Sequence, residues 1–186
     1  MATDVSICSN ALLRLGDQPI NSLSEENDRA RLASNTYPSV RDALLRGHPW
    51  NCAIKRVILS PDLTAPAYGW SQRFLLPGDF IRLLSVGESG GHDDYELEDG
   101  YILMDESVCY LRYLYRAPES KWDALLVEAA TESMRRVFAF PITTSSSAEA
   151  NAYNIVQAVL KQARAVDAQE NPPETFGDEA MFRAGF

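Results

Sequence analysis

The stretch from Tyr37 to Arg56 constrains this chain most. A helical pattern ends at Gly47, the dipeptide His48-Pro49 turns the chain, and Trp50-Asn51-Cys52-Ala53-Ile54-Lys55-Arg56 opens an extended segment. Everything before this junction reads as helix, residues 50–116 read as short strands, and the pattern returns to helix until about Gln169. The fold class predicted is α+β: a four-helix bundle with a small antiparallel β-sandwich or half-barrel inserted between helices 2 and 3. Residues 1–49 and 117–169 form the helical part, 50–116 the inserted β unit, and 170–186 an extended C-terminal tail.

In the first helix Thr3 is the predicted N-cap, and Val5, Cys8, Leu12 and Leu15 recur at spacings of three and four until Gly16 ends the run. Ser24 is the predicted cap of the second helix, with Glu25 and Glu26 in its first turn, where acids suit the positive helix end. Ala30, Ala33, Tyr37, Val40 and Leu44 keep one apolar stripe through Pro38, so that proline should bend the helix without ending it. The pairs Glu25/Arg29 and Asp42/Arg46 stand four apart with the acid first, as a solvated helix face would have them.

The β unit carries Gly87 to Gly91 as a hairpin tip and Asp99-Gly100 as a two-residue turn. Val108 to Tyr115 alternates as its last strand. Beyond Pro118, Trp122, Leu126, Ala129, Ser133, Val137 and Phe140 lie on one broad stripe, which Pro141 should stop. Ser146, three residues before Glu149, matches a capping box for the final helix, whose Ala152, Ile155, Val159, Ala163 and Val166 point inward.

Composition limits the chemistry. A formal charge of −9 argues against a protein that grips nucleic acid through a basic face. Cys8, Cys52 and Cys109 are odd in number, far apart and in no CxxC, and so read as reduced core residues of an intracellular protein. The sequence offers neither a basic leader followed by an apolar run nor the roughly 20 apolar residues that span a bilayer. No Walker loop or G-x-S-x-G elbow is present, and His48 and His92 are the two histidines. His48 fits a helix-end capping role. No catalytic, cofactor-binding or metal-ligating residues are therefore assigned. The nearest thing to an active site is His92-Asp93-Asp94-Tyr95-Glu96-Leu97-Glu98-Asp99, where Glu96 and Glu98 share a strand face, although alternation alone makes them the wet face of a hairpin. Trp50, Trp70 and Trp122 fit core packing better than a sugar-binding face.

Candidate contacts with a partner lie elsewhere. Arg135 and Arg136 interrupt an enclosed helix, where they either snorkel to water or meet acids of a neighbouring subunit. After Asn171-Pro172-Pro173, an acidic tail carries Phe176, Met181, Phe182 and Phe186, anchors of the kind that order against a partner.

Taken in order, Ser6-Ile7-Cys8-Ser9-Asn10-Ala11-Leu12-Leu13-Arg14-Leu15-Gly16, then Tyr37-Pro38 with Arg41-Asp42, Leu44-Leu45-Arg46 and His48-Pro49-Trp50-Asn51, then Leu76-Pro77-Gly78-Asp79-Phe80 resemble the tail tubular protein A family. These are the head-to-tail adaptor, or gatekeeper, proteins of short-tailed bacteriophages. The match extends through Tyr113, Trp122-Asp123-Ala124-Leu125, Ile142-Thr143 and Ala163 to Glu170, and the C-terminal tail departs from it. The resemblance implies a non-enzymatic part of the virion's head-tail junction, made in the host cytoplasm. It would form a ring, commonly of twelve copies, docking beneath the portal protein, extending the DNA channel and receiving the tail nozzle protein. DNA would pass through without specific binding, and no membrane would be involved. The rival expectation is a small carbohydrate-binding or carboxylate-dependent hydrolytic protein acting through Glu96 and Glu98 of the β insert.

Overall fold

The computed structural model describes residues 1–88 and 94–170. It is mixed α and β, with four helices and two small three-stranded antiparallel sheets inserted between the second helix and the third. The chain runs α1 (Asp4–Leu13), α2 (Asp28–Arg46), β1 (Ile54–Leu59), β2 (Gln72–Leu75), β3 (Phe80–Val86), β4 (Glu96–Glu98), β5 (Tyr101–Met104), β6 (Cys109–Tyr115), α3 (Ala124–Thr143) and α4 (Ser146–Glu170).

The capping chemistry of α1 is as expected: Thr3 Oγ1 accepts from the Ser6 N–H, and Ser6 Oγ accepts in return from the Thr3 N–H. For α2 the cap moves. Asn27, and not Ser24, accepts from the Ala30 N–H at 2.7 Å. Glu25 turns back instead to accept from the N–H groups of Asn21 and Ser22. A carboxylate there satisfies the turn before the helix, leaving the shorter Asn27 side chain to reach the first orphan donors. The anticipated ladder of i,i+4 pairs is also absent. Arg29 binds Asp17, Asp42 binds Arg41 and Arg116, and Arg46 donates to the Ile81 carbonyl. Arg29 and Arg46 have each reached a neighbouring segment in place of their own helix face.

The proline in α2 behaves as the stripe demands, and the helix continues unbroken through Pro38. Pro141, in contrast, does not stop α3. The helix runs two residues further and ends where Thr144 takes a left-handed conformation, φ 52°. Near a C-terminus the missing N–H costs one bond of a turn that is already fraying, so proline is tolerated there. The cap of α4 is Ser145, whose Oγ accepts from the Ala148 N–H, in place of Ser146.

One sheet has the order β1-β6-β3 and the other β2-β5-β4. Asp99 and Gly100 make the β4–β5 turn with φ of 45° and 80°, the pair of positive angles a two-residue hairpin loop requires. Phe74, Ile102 and Met104 from the second sheet pack with Cys109, Leu111, Tyr113 and Val86 from the first, closing a small sandwich. The helices enclose a separate and larger cluster that includes Ile7, Leu12, Tyr37, Leu45, Trp50, Leu126, Met134 and Phe138. Leu114 and Ile81 belong to this second cluster, so β6 and β3 touch both cores. Trp50 does not open the strand. It lies instead in a turn before β1, fully buried among helical residues, with its indole N–H on the Leu44 carbonyl at 3.0 Å. No helix among the described residues is long and apolar enough to cross a membrane.

Candidate functional site

His48-Pro49-Trp50-Asn51 and Leu76-Pro77-Gly78-Asp79 lie where the helices meet the sandwich, and their polar groups bond to other elements. Asp167, in the last turns of α4, is 7% exposed. Its carboxylate accepts from the Asn51 N–H at 3.0 Å and lies 3.0 Å from His48 Nε2, while the Asn51 side-chain amide donates to the Asp167 carbonyl at 2.8 Å. His48 also meets the Trp50 ring edge-on at 4.6 Å. The histidine therefore ties the junction to α4 and does not serve the end of α2. Sequence periodicity placed Val166 inward on this helix; the structure exposes Val166 and buries Asp167 beside it. The demand of the two junction donors that meet its carboxylate outweighs one aliphatic contact.

Asp79, from the Leu-Pro-Gly-Asp stretch, plays the matching part for the sandwich. It accepts from the Tyr113 hydroxyl at 2.9 Å and from Lys55 Nζ at 2.8 Å, and the Arg116 N–H donates to its carbonyl. Burial works to raise the affinity of Asp79 for a proton, but the donors win and hold it below the ordinary carboxylate range. Asp42 repeats the pattern: burial opposes ionisation, and bonds from Arg116 and Arg41 overcome it. Tyr37, buried in the helical core, donates to Glu119 at 2.8 Å, and burial first, then that carboxylate, push its phenol up.

A second polar centre joins α1 to α3. Glu132, only 3% exposed, receives Arg14 from α1 and Arg135 from its own helix, the latter at 3.2 Å. Arg14 simultaneously holds Glu128. Arg135 thus has a partner within the chain, and Arg136, exposed, lies over the Tyr153 ring of α4 at 5.8 Å. Sequence periodicity hid Glu132 because it falls in an apolar stripe where a carboxylate has no local reason to be.

The carboxylates of the β insert face outward. The register Glu96–Leu103–Arg73 and Glu98–Tyr101–Leu75 puts them on the outer side of the second sheet. A groove of about 410 Å³ lies there, with Tyr68 and Trp70 beside Arg73, Glu96, Glu98 and Tyr101. Glu96 accepts the Trp70 indole N–H at 3.1 Å, and Arg73 stacks 4.6 Å from the Tyr101 ring while holding Asp62. Glu96 and Glu98 are exposed as expected, but Leu97 between them is exposed too, so β4 does not show the alternation of one wet and one dry face. The open, aromatic-flanked groove suits recognition of a cationic or hydrogen-bonding group. Of the tryptophans, Trp50 and Trp122 are core residues and Trp70 lies at the groove. Among the described residues no group of three or more His, Cys, Asp or Glu could hold a metal ion. Cys8 is fully buried, which pushes its thiol up to about 12, and burial takes Cys52 to about 11.

His92, Asp93 and the tail anchors Phe176, Met181, Phe182 and Phe186 lie outside the described residues. Compared with family models and with curated proteins, the chain matches none.

Proposed function

We propose that this protein is a structural adaptor of a bacteriophage head-tail junction, a ring component that docks on a portal protein, lengthens the DNA channel and receives a tail nozzle. One observation carries the reading. The residues of the His-Pro-Trp-Asn junction and of the Leu-Pro-Gly-Asp turn bond across elements, to α4 and to β6, and none of them lines the open groove. Their chemistry is used to fix one orientation of sandwich, bundle and α4, which is what a part defined by shape requires. The family resemblance supports the same reading, since the two most specific of its motifs are these joint residues. The acidic composition supports it too, because a lumen of like charge offers DNA little attraction.

In this reading the tail anchors Phe176, Met181, Phe182 and Phe186 make the portal contact. Negative-stain imaging of the full chain with and without purified portal tests the proposal: rings on the portal are expected, and their absence refutes the adaptor role. A chain lacking residues 171–186 should stay folded and soluble yet fail to dock. Undiminished docking would assign the portal contact elsewhere.

A further inference from the structure

The two outer faces of the sandwich carry charges of opposite sign that have no ion pair among the described residues. On the first sheet Arg56 of β1 stands directly opposite Arg112 of β6. Like charges at opposed strand positions repel. No carboxylate relieves them: among the described residues neither arginine has an ion pair, and Arg112 Nε is buried without an acceptor. Beside them in register are Ile58, 65% exposed, and the half-buried Tyr110. On the second sheet Glu98 and Asp99 likewise have no cation among the described residues, and Glu96 receives only the Trp70 indole N–H. Leu75 and Tyr68, both largely exposed, supply apolar surface on that side.

We propose that these faces are the two halves of one contact between copies of this chain, with Arg56 and Arg112 of one copy seated on the Glu96–Glu98 groove of the next. The arginine row faces no anion among the described residues, and the groove holds Glu96 and Glu98; its own cation, Arg73, is already held by Asp62 and stacked on Tyr101, which leaves Tyr68 and Trp70 as aromatic walls for an incoming guanidinium. Duplex DNA is the weaker occupant, because a chain of formal charge −9 repels it beyond the local patch. Since the complementary faces are different surfaces of one sandwich, the contact is heterologous, and repetition of it closes into a ring or runs on as a filament. The adaptor reading selects the ring; the contact itself does not depend on it.

Sedimentation velocity of the full chain over a concentration series, at low and high salt, reads the contact. The wild type should self-associate at low salt and weaken as salt screens the charges. The variant R56E/R112E should associate about tenfold more weakly or worse, as should E96R/E98R. Mixed in equal amounts, the two variants should recover association, because each then meets a face of opposite charge; the neutral R56Q/R112Q, with far-ultraviolet circular dichroism on every variant, separates lost contact from lost fold. A monomeric wild type, variants that associate normally, or no recovery on mixing would overturn the proposal. So would loss of duplex-DNA binding by R56E/R112E in fluorescence anisotropy with self-association intact. Portal-bound rings that form equally well from R56E/R112E would reject this interface and leave the adaptor reading standing, whereas wild-type failure to form any ring on the portal would reject the adaptor reading alone.

Discussion

Replacing Asp167 by alanine tests the claim that α4 is stapled to the junction. The carboxylate accepts two bonds at 3.0 Å, from the Asn51 N–H and from His48 Nε2, at a site where Asp167 is 7% exposed. Hydrogen bonds to a charged acceptor contribute about 1.5–3 kcal/mol each, and losing the acceptor leaves a partly buried backbone N–H without one. The bond from the Asn51 side chain goes to the Asp167 carbonyl and survives. The expected loss is therefore about 3 kcal/mol, which for a chain of this size lowers Tm by roughly 6–12 °C. Asp167→Asn keeps a carbonyl acceptor for Asn51 and an amide for the imidazole, so its cost should be nearer about 1 kcal/mol. Thermal unfolding followed by circular dichroism measures both. Hydrogen exchange adds location, because protection should fall at residues 48–53 and along the last turns of α4 before it falls elsewhere. A double-mutant cycle with His48→Ala should show coupling, since the two side chains share one bond. A D167A protein that melts within about 1 °C of the wild type, or additive effects in the cycle, would refute the staple.

Two other outcomes follow from the charge centres. Arg14→Ala removes the α1 partner of the buried Glu132, leaving Arg135 alone to satisfy it; because Arg14 is itself about a third exposed, the cost is discounted to about 1–3 kcal/mol, read by urea unfolding, and rescue by a second change, Glu132→Gln, is expected. Stability should also fall on both sides of neutral pH. Bonds from Arg29 hold Asp17 low and bonds from Arg14 hold Glu128 low, while Asp42 and Asp79 stay low against the pull of burial. Depressed carboxylates contribute fully above their unfolded range, about pH 4, and that contribution is lost as pH falls through their folded values below it. The thiols run the other way: raised to about 12 for Cys8 and about 11 for Cys52, they contribute fully below their unfolded range, and the contribution is lost as pH rises towards those values. A Tm-against-pH profile should flatten at its alkaline end in Cys8→Ala, and an unchanged alkaline limb would remove this account.

The sequence was most informative where structure is decided locally. Asp99-Gly100 specifies a tight hairpin by backbone angle alone, Thr3 and Ser6 satisfy each other across one helical turn, and the stripe through Pro38 survives because neighbouring turns carry it. It was least informative where a residue answers to something distant. Ser24, Asn27 and Glu25 are all competent at a helix start, and only the turn at Asn21 and Ser22 decides which of them caps. Asp167 satisfies residues more than a hundred positions earlier, and periodicity read Val166 as the inward residue in its place. Glu132 is set among apolar positions, with its reason on another helix. The same blindness applies to the groove: Glu96 and Glu98 are legible as a wet strand face, but the loop that brings Trp70 and Tyr68 beside them has no periodic signature.

The charges of this protein fall into two populations, and the difference bears on what each is for. Around the helices and the joint, Arg14, Arg29, Arg41, Arg116, Arg135 and Lys55 each meet a carboxylate of the same chain. Apart from Arg41–Asp42 and Arg135–Glu132, each within one helix, these pairs cross between segments, and the buried ones fix orientation because an unpaired charge there would cost several kcal/mol. On the outer faces of the sandwich, Arg56, Arg112, Glu98 and Asp99 have no such partner among the described residues. Pairing them internally would add little to folding, since exposed ion pairs contribute about 0–1 kcal/mol. Placed between two copies they would be desolvated, and complementary charge then selects one register and rejects others. If the proposed contact between copies holds, destabilising the joint and neutralising the faces should produce separable defects: the first a loss of Tm, the second a loss of association in a protein that melts normally.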